Sequence, residues 1–159
     1  MKRDGGLTLI ELMIVLALLA IIASVAFPTF LGQRSETKLR DAVSMIRGDL
    51  EMARSRAIRE NAAVPVLIRP DGYTIFIDNG SGGGIEGNWV RDGEERQLCN
   101  RLFQGGIRTD LSKVTFDSTR TRFNGRGYVE NSGAMTVFNS DGQSITLDLN
   151  NRFGRITTY

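Results

Sequence analysis

The chain changes its hydrophobic period twice. From Leu7 to Phe30 it reads LTLIELMIVLALLAIIASVAFPTF, 24 residues with a single charge, Glu11. Such a block is apolar on every face of a helix and exceeds the roughly 20 residues that cross a bilayer. Beyond Phe30 the apolar positions narrow to one stripe. Leu39, Val43, Ile46, Leu50, Ala53 and Ala57 recur at steps of three and four, the spacing of one helix face. Arg34, Glu36, Arg40, Arg47, Glu51 and Arg54 fall on the other faces, and Glu36–Arg40 and Arg47–Glu51 are spaced to pair across a turn. One helix from residue 7 to about 60 follows. Pro28 removes a backbone donor and Gly32 loosens the next turn, so a kink is expected there. The outer half of the helix must lay its stripe on something, and a β-sheet core is the expected cover.

After Glu60 the period drops to two and β-branched and aromatic residues take over. Ala63–Ile68 and Tyr73–Asp78 flank Arg69-Pro70-Asp71-Gly72, and Ala134–Asn139 and Ser144–Leu149 flank Ser140-Asp141-Gly142-Gln143. Both are hairpin patterns with turn residues at their centres. Lys113–Phe116 and Thr121–Asn124 read as short strands, and Arg155–Tyr159 as a last one after Gly154. Five of the ten residues from Asp78 to Gly87 are Gly, which predicts a mobile surface loop. No Lys-Ser/Thr pair follows it and no helix begins there, so a phosphate cradle is not supported. The fold class is α+β: a long N-terminal helix, its amphipathic second half packed on antiparallel sheets.

Composition narrows the chemistry. The chain has 20 Lys and Arg against 18 Asp and Glu, a formal net charge of +2, with no His and one Cys, Cys99. Without His, the Ser-His-Asp and Cys-His mechanisms and His-containing zinc sites drop out. One Cys excludes an intramolecular disulfide and any CxxC motif. Asp141 and Asp148 are separated by a strand pattern and read as turn and surface residues. Neither a metal nor a cofactor is expected, nor is an enzyme, since no acid/base pair or nucleophile constellation stands out.

Three readings of the N-terminus compete. Lys2 and Arg3 precede the apolar block and would hold that end in the cytoplasm by the positive-inside bias. An ordinary secretory signal peptide could be cut after Ser24-Val25-Ala26, and a plain signal anchor would stay uncut. The third reading accounts for more residues. Gly6-Leu7-Thr8-Leu9-Ile10-Glu11 resembles the cleavage and methylation motif of type IV prepilins and type II secretion pseudopilins. That resemblance implies cleavage between Gly6 and Leu7 by a membrane-embedded prepilin peptidase, N-methylation of Leu7, and Glu11 as the fifth residue of the mature chain. Leu7 departs from the usual Phe. Pro28 falls where many members carry a kinking Pro.

Glu11 also has a physical case. A carboxylate at membrane depth costs about 2.5–3.5 kcal/mol on insertion scales, and no Lys or Arg lies between Leu7 and Phe30. The resemblance implies pairing with the terminal amine of its own or an adjoining subunit during assembly. Snorkelling to the headgroups is the alternative.

The second half is similar to the minor pseudopilin H group, the GspH/FimT-like family, through its paired hairpins, Phe123-Asn124-Gly125-Arg126-Gly127, and the terminal Gly154-Arg155-Ile156. The resemblance implies a leader over 1–6, a transmembrane or filament-core helix over 7–30 and a periplasmic globular domain over 31–159. It implies a single-pass subunit of the inner membrane that enters a pseudopilus or pilus, at or near its tip. The implied partners are other pilin or pseudopilin subunits, the prepilin peptidase, an inner-membrane assembly platform and, before assembly, membrane lipid. Family members that bind DNA in natural transformation supply an alternative, with Arg120, Arg122, Arg126, Arg152 and Arg155 as candidates. Residues 101–159 hold eight Lys and Arg against five Asp and Glu, a mild excess that a solvated mixed face also explains. Gly154-Arg155-Ile156-Thr157 lacks the second Arg of the stretch those members carry.

Overall fold

A computed structural model of the chain describes residues 8–149 and 156–158, with the side chains of 25–33 left aside. The chain divides into two compact units, Met1–Arg34 and Ser35–Tyr159. Helix α1, Leu9–Glu60, contributes to both. Thr8 starts it: its Oγ1 accepts the Glu11 N–H at 3.3 Å, satisfying one of the donors that a helix start leaves unpaired. In the first unit the apolar side chains from Leu9 to Ile22 are exposed on all sides. Pro28 and Gly32 fall in the stretch without described side chains, so the kink expected there lies outside the described residues.

In the second unit the amphipathic stripe is core. Leu39, Val43, Ile46, Leu50, Ala53 and Ala57 are all buried, in one cluster with residues of both sheets. The helix ends where Asn61 turns left-handed, at φ 47°. The Ala62 N–H then reaches the Ala57 carbonyl at 3.2 Å and the Asn61 N–H reaches Ile58, a Schellman closure.

The strands are β1 (Val64–Arg69), β2 (Gly72–Phe76), β3 (Gln97–Leu102), β4 (Arg108–Thr109), β5 (Arg120–Phe123), β6 (Val129–Glu130), β7 (Ala134–Phe138), β8 (Ser144–Asp148) and β9 (Thr157–Thr158). They form a five-stranded sheet, ordered β3-β2-β1-β5-β6, and a four-stranded sheet, β4-β7-β8-β9. Every pairing is antiparallel. The two hairpins form as the turn residues predict, with Arg69 opposite Gly72 and Phe138 opposite Ser144. Gly72 has a packing reason as well: a Cβ there would run into the Arg101 carbonyl of β3.

Two expectations need correction. Lys113–Phe116 is not a strand. Asp110 caps a short 3-10 turn over Leu111–Lys113, accepting the Ser112 N–H at 3.0 Å, so local capping overrides the β-branched pattern. Of the last strand expected over Arg155–Tyr159, Thr157–Thr158 pair with β8 and Ile156 precedes the strand, while Arg155 and Tyr159 lie outside the described residues. The glycine-rich loop has two buried anchors that its composition does not announce. Buried Asp78 accepts the N–H groups of Gly87 at 2.6 Å and Trp89 at 2.9 Å. Buried Glu95 accepts those of Gly80 at 2.9 Å and Asp92 at 3.2 Å.

Candidate assembly and binding residues

Gly6 and Leu7, the residues on either side of the expected cut, lie outside the described residues. Glu11 is described. It stands in the first turn of α1, where a negative charge faces the positive end of the helix dipole. Thr8 and Glu11 hold the Ncap and N3 positions of the S/T-x-x-E pattern that marks a helix start. The sequence therefore carried a second signal at Glu11, which the motif reading did not use. Around Glu11, Leu9, Ile10, Leu12 and Met13 are all exposed. Exposed apolar surface this continuous needs lipid or protein to cover it. Among the described residues no helix is long and apolar enough to cross a membrane. The described side chains of the apolar block stop at Ser24, while the apolar sequence continues to Phe30.

Three of the five candidate arginines, Arg120, Arg122 and Arg126, are described. Arg120 and Arg122 alternate with buried Thr121 and Phe123 on β5, so they share the sheet face turned away from the core. Both lie over the Trp89 ring, at 4.9 Å and 4.3 Å from its centroid. Arg122 Nε also donates to Glu130 Oε2 at 2.6 Å, and its Nη1 to the Gly87 carbonyl at 3.1 Å. These two side chains thus fasten the β2–β3 loop to the sheet. Trp89 needs that fastening: its φ is +66°, a left-handed conformation costing on the order of 1–3 kcal/mol for a bulky residue. Arg126 is exposed in the β5–β6 turn, its N–H bonded to Asn124 Oδ1 at 3.0 Å. Arg152 and Arg155 lie outside the described residues.

A cluster that sequence reasoning missed joins the helix to the sheet. Asp49 on α1 accepts a hydrogen bond from Tyr73 of β2 at 2.8 Å and one from Arg101 of β3 at 2.9 Å. Burial alone would raise the Asp49 carboxyl, but the bonds from Arg101 and Tyr73 outweigh it and hold it below the usual carboxylate range. Burial first, then the Asp49 carboxylate, pushes the Tyr73 hydroxyl above its ordinary value. The same two causes push the Cys99 thiol up to about 11, so it is a neutral thiol at neutral pH and a poor nucleophile. Asp49, Tyr73, Cys99 and Arg101 are a structural tie with no reactive group. Among the described residues no three of His, Cys, Asp and Glu are grouped to hold a metal ion.

Comparison with known proteins completes the picture. Residues 1–27 match the model of the prokaryotic N-terminal methylation motif, and residues 42–152 match that of the type II transport protein GspH. Two fimbrial proteins of Pseudomonas aeruginosa are each 39% identical over 64 residues, covering 40% of this chain and 41% of theirs. The chain thus spans about two-fifths of the length of the curated relatives it matches. No solved structure matches. With most of the chain inside the GspH match, and a pilin-like arrangement of one N-terminal helix packed on two antiparallel sheets, the protein belongs to the type II transport protein GspH family.

Proposed function

We propose that this chain is a minor pseudopilin or pilin, a structural subunit of a type II secretion pseudopilus or type IV pilus. Prepilin peptidase cuts between Gly6 and Leu7 on the cytoplasmic side, and Leu7 is methylated. The subunit waits in the inner membrane with its 31–159 domain in the periplasm. An inner-membrane assembly platform then moves it into a filament, at or near the tip. The observation that carries this reading is the combination in one chain of the methylation motif over 1–27 with the GspH match over 42–152. The continuous exposed apolar surface of α1 from Leu9 to Ile22 supports it, since that surface asks for lipid before assembly and for neighbouring helices afterwards.

In this reading Glu11 selects the register of entry. In an apolar environment a carboxylate is tolerated only beside a cation, and the methylated terminus of a subunit already in the filament supplies one. Replacing Glu11 with Ala in the producing strain tests the proposal. The variant should be processed and stay in the membrane but fail to appear in sheared filaments. Normal incorporation of Glu11→Ala would contradict the assigned role.

The DNA-binding alternative loses two of its five arginines to the Trp89 clasp. Only Arg126 is both described and exposed.

A further inference from the structure

Asn is followed by Gly at two places among the described residues, Asn79-Gly80 in the β2–β3 loop and Asn124-Gly125 in the β5–β6 turn. Such a pair can react with itself. The Gly nitrogen can attack the Asn side-chain carbonyl carbon, because Gly has no Cβ to shield it.

At Asn79 the surrounding groups suit that attack. The nucleophile would be the Gly80 nitrogen, whose N–H donates to Glu95 Oε1 at 2.9 Å. Glu95 is 4% exposed, and the Asp92 N–H holds its other carboxylate oxygen at 3.2 Å. A carboxylate fixed within hydrogen-bond reach of the proton it removes has the geometry of a general base. The N–H lies in the peptide plane, so its removal leaves the electrons perpendicular to that plane for the attack. The electrophile is prepared as well. Asn79 Oδ1 accepts the Ser81 N–H at 3.3 Å and the Ser81 Oγ–H at 2.7 Å. Negative charge growing on Oδ1 during the attack therefore meets donors already in place, as in an oxyanion hole. Gly80 stands at φ +68°, and a Cβ there would lie 3.1 Å from the Glu86 nitrogen. Asn79 is exposed, so water reaches the product.

We propose that Asn79 is a self-modifying site that loses its amide with Glu95 as the base. Glu95 takes the Gly80 proton, and the Gly80 nitrogen bonds to Asn79 Cγ. The Cγ–Nδ2 bond breaks, and ammonia leaves with that proton, giving a cyclic imide. Water then opens the imide at one of its carbonyls. One opening leaves Asp at position 79; the other leaves isoaspartate, with the chain running through the former side chain. Nothing is oxidised or reduced. Either product places a new negative charge beside Ser81, and isoaspartate also lengthens the backbone at the root of the loop.

Asn124-Gly125 is an internal reference. Asn124 Oδ1 also accepts backbone N–H groups, from Arg126 at 3.0 Å and Tyr128 at 3.1 Å. Its Nδ2, the leaving group, is held by Glu130 Oε1 at 3.4 Å. Among the described residues no carboxylate accepts the Gly125 N–H.

The test follows both sites in full-length chain kept in detergent at neutral pH. Samples are digested at intervals, and the Asn, Asp and isoaspartate forms of each peptide are separated and weighed. Conversion at Asn79 should be at least about tenfold faster than at Asn124, and faster in the folded chain than in denaturant, where Glu95 leaves Gly80. Glu95→Gln keeps the shape of the side chain without the base and should slow Asn79 by at least about tenfold. Ser81→Ala removes one donor from Oδ1 and should slow it severalfold. An Asn79 that converts more slowly in the folded chain than in denaturant would overturn the proposal. So would conversion that is unchanged or faster in Glu95→Gln, since Glu95 would then only restrain the loop.

Discussion

The Tyr73 hydroxyl donates a 2.8 Å hydrogen bond to Asp49 Oδ2, joining the helix to β2 of the five-stranded sheet through residues 24 positions apart in the chain. Tyr73 is buried at 1% exposure, so its hydroxyl has no water to fall back on. Removing one partner of a buried bond costs about 1–3 kcal/mol. Tyr73→Phe should therefore lower the thermal midpoint by a few degrees, with the fold intact by circular dichroism. Asp49→Ala should cost at least as much, because it leaves the buried Tyr73 hydroxyl without an acceptor and removes the ion pair to the half-exposed Arg101. Equal midpoints for wild type and both variants would show that the tie contributes nothing.

The same cluster sets a pH profile. The Asp49 carboxyl is held below its ordinary value, so its contribution is full above the unfolded value and is lost as pH falls through the folded one. Tyr73 and Cys99 are raised. Their contribution is full below the unfolded values and is lost as pH rises, for Cys99 between its ordinary 9.0 and about 11. Stability measured by denaturant titration should fall on an acid limb below about pH 4 and on an alkaline limb above about pH 9. Cys99→Ser should flatten the alkaline limb. An unchanged limb would separate the thiol from the cluster.

Leu50 is 1% exposed in the centre of the stripe. Leu50→Ala should cost about 2–5 kcal/mol, and Leu50→Asp should unfold the globular part, since an unpaired buried carboxylate costs far more than one lost apolar contact. Unaltered thermal unfolding of Leu50→Asp would mean that the stripe faces solvent or a partner.

Trp89 links the β2–β3 loop to Arg120 and Arg122. Cation–π contacts of this kind contribute about 0.5–2 kcal/mol, and the left-handed Trp89 works against them. Trp89→Gly should relieve strain while freeing the loop. The expected result is faster proteolysis between Asn79 and Glu94 with little change in the thermal midpoint. A protease-resistant loop in that variant would show that Asp78 and Glu95 hold it alone.

The arginines also bear on nucleic acid. Binding of duplex DNA should be no tighter than about 10⁻⁴ M at physiological salt, the weak end of non-specific affinity. Arg152→Ala with Arg155→Ala should leave it unchanged. Micromolar binding that falls steeply with salt and disappears in the double variant would favour the DNA-uptake alternative.

What the sequence made legible is uneven for physical reasons. Leu39 to Ala57 announce themselves because a helix on a core repeats one face, and all six are buried. Arg69–Gly72 and Ser140–Gln143 follow from turn chemistry. The strand β3 has no alternation to read: as an edge it exposes both faces at Gln97, Asn100, Arg101 and Leu102. Lys113–Phe116 has the right residues, but Asp110 captures the preceding backbone. The Asp49 cluster and the Trp89 clasp depend on register, with Ile75 opposite Cys99 and Leu67 opposite Arg120, and no local pattern encodes such pairings. At the N-terminus the motif around Glu11 was legible, and the Thr8 cap beside it was present in the same four residues.

We propose that this chain becomes a filament subunit by losing residues 1–6. Intact-mass measurement of the protein extracted from its native membrane tests it most directly. The expected protein begins at Leu7 and carries one methyl group on its terminal nitrogen. A chain beginning at Phe27, or one that still carries Met1–Gly6, would contradict it.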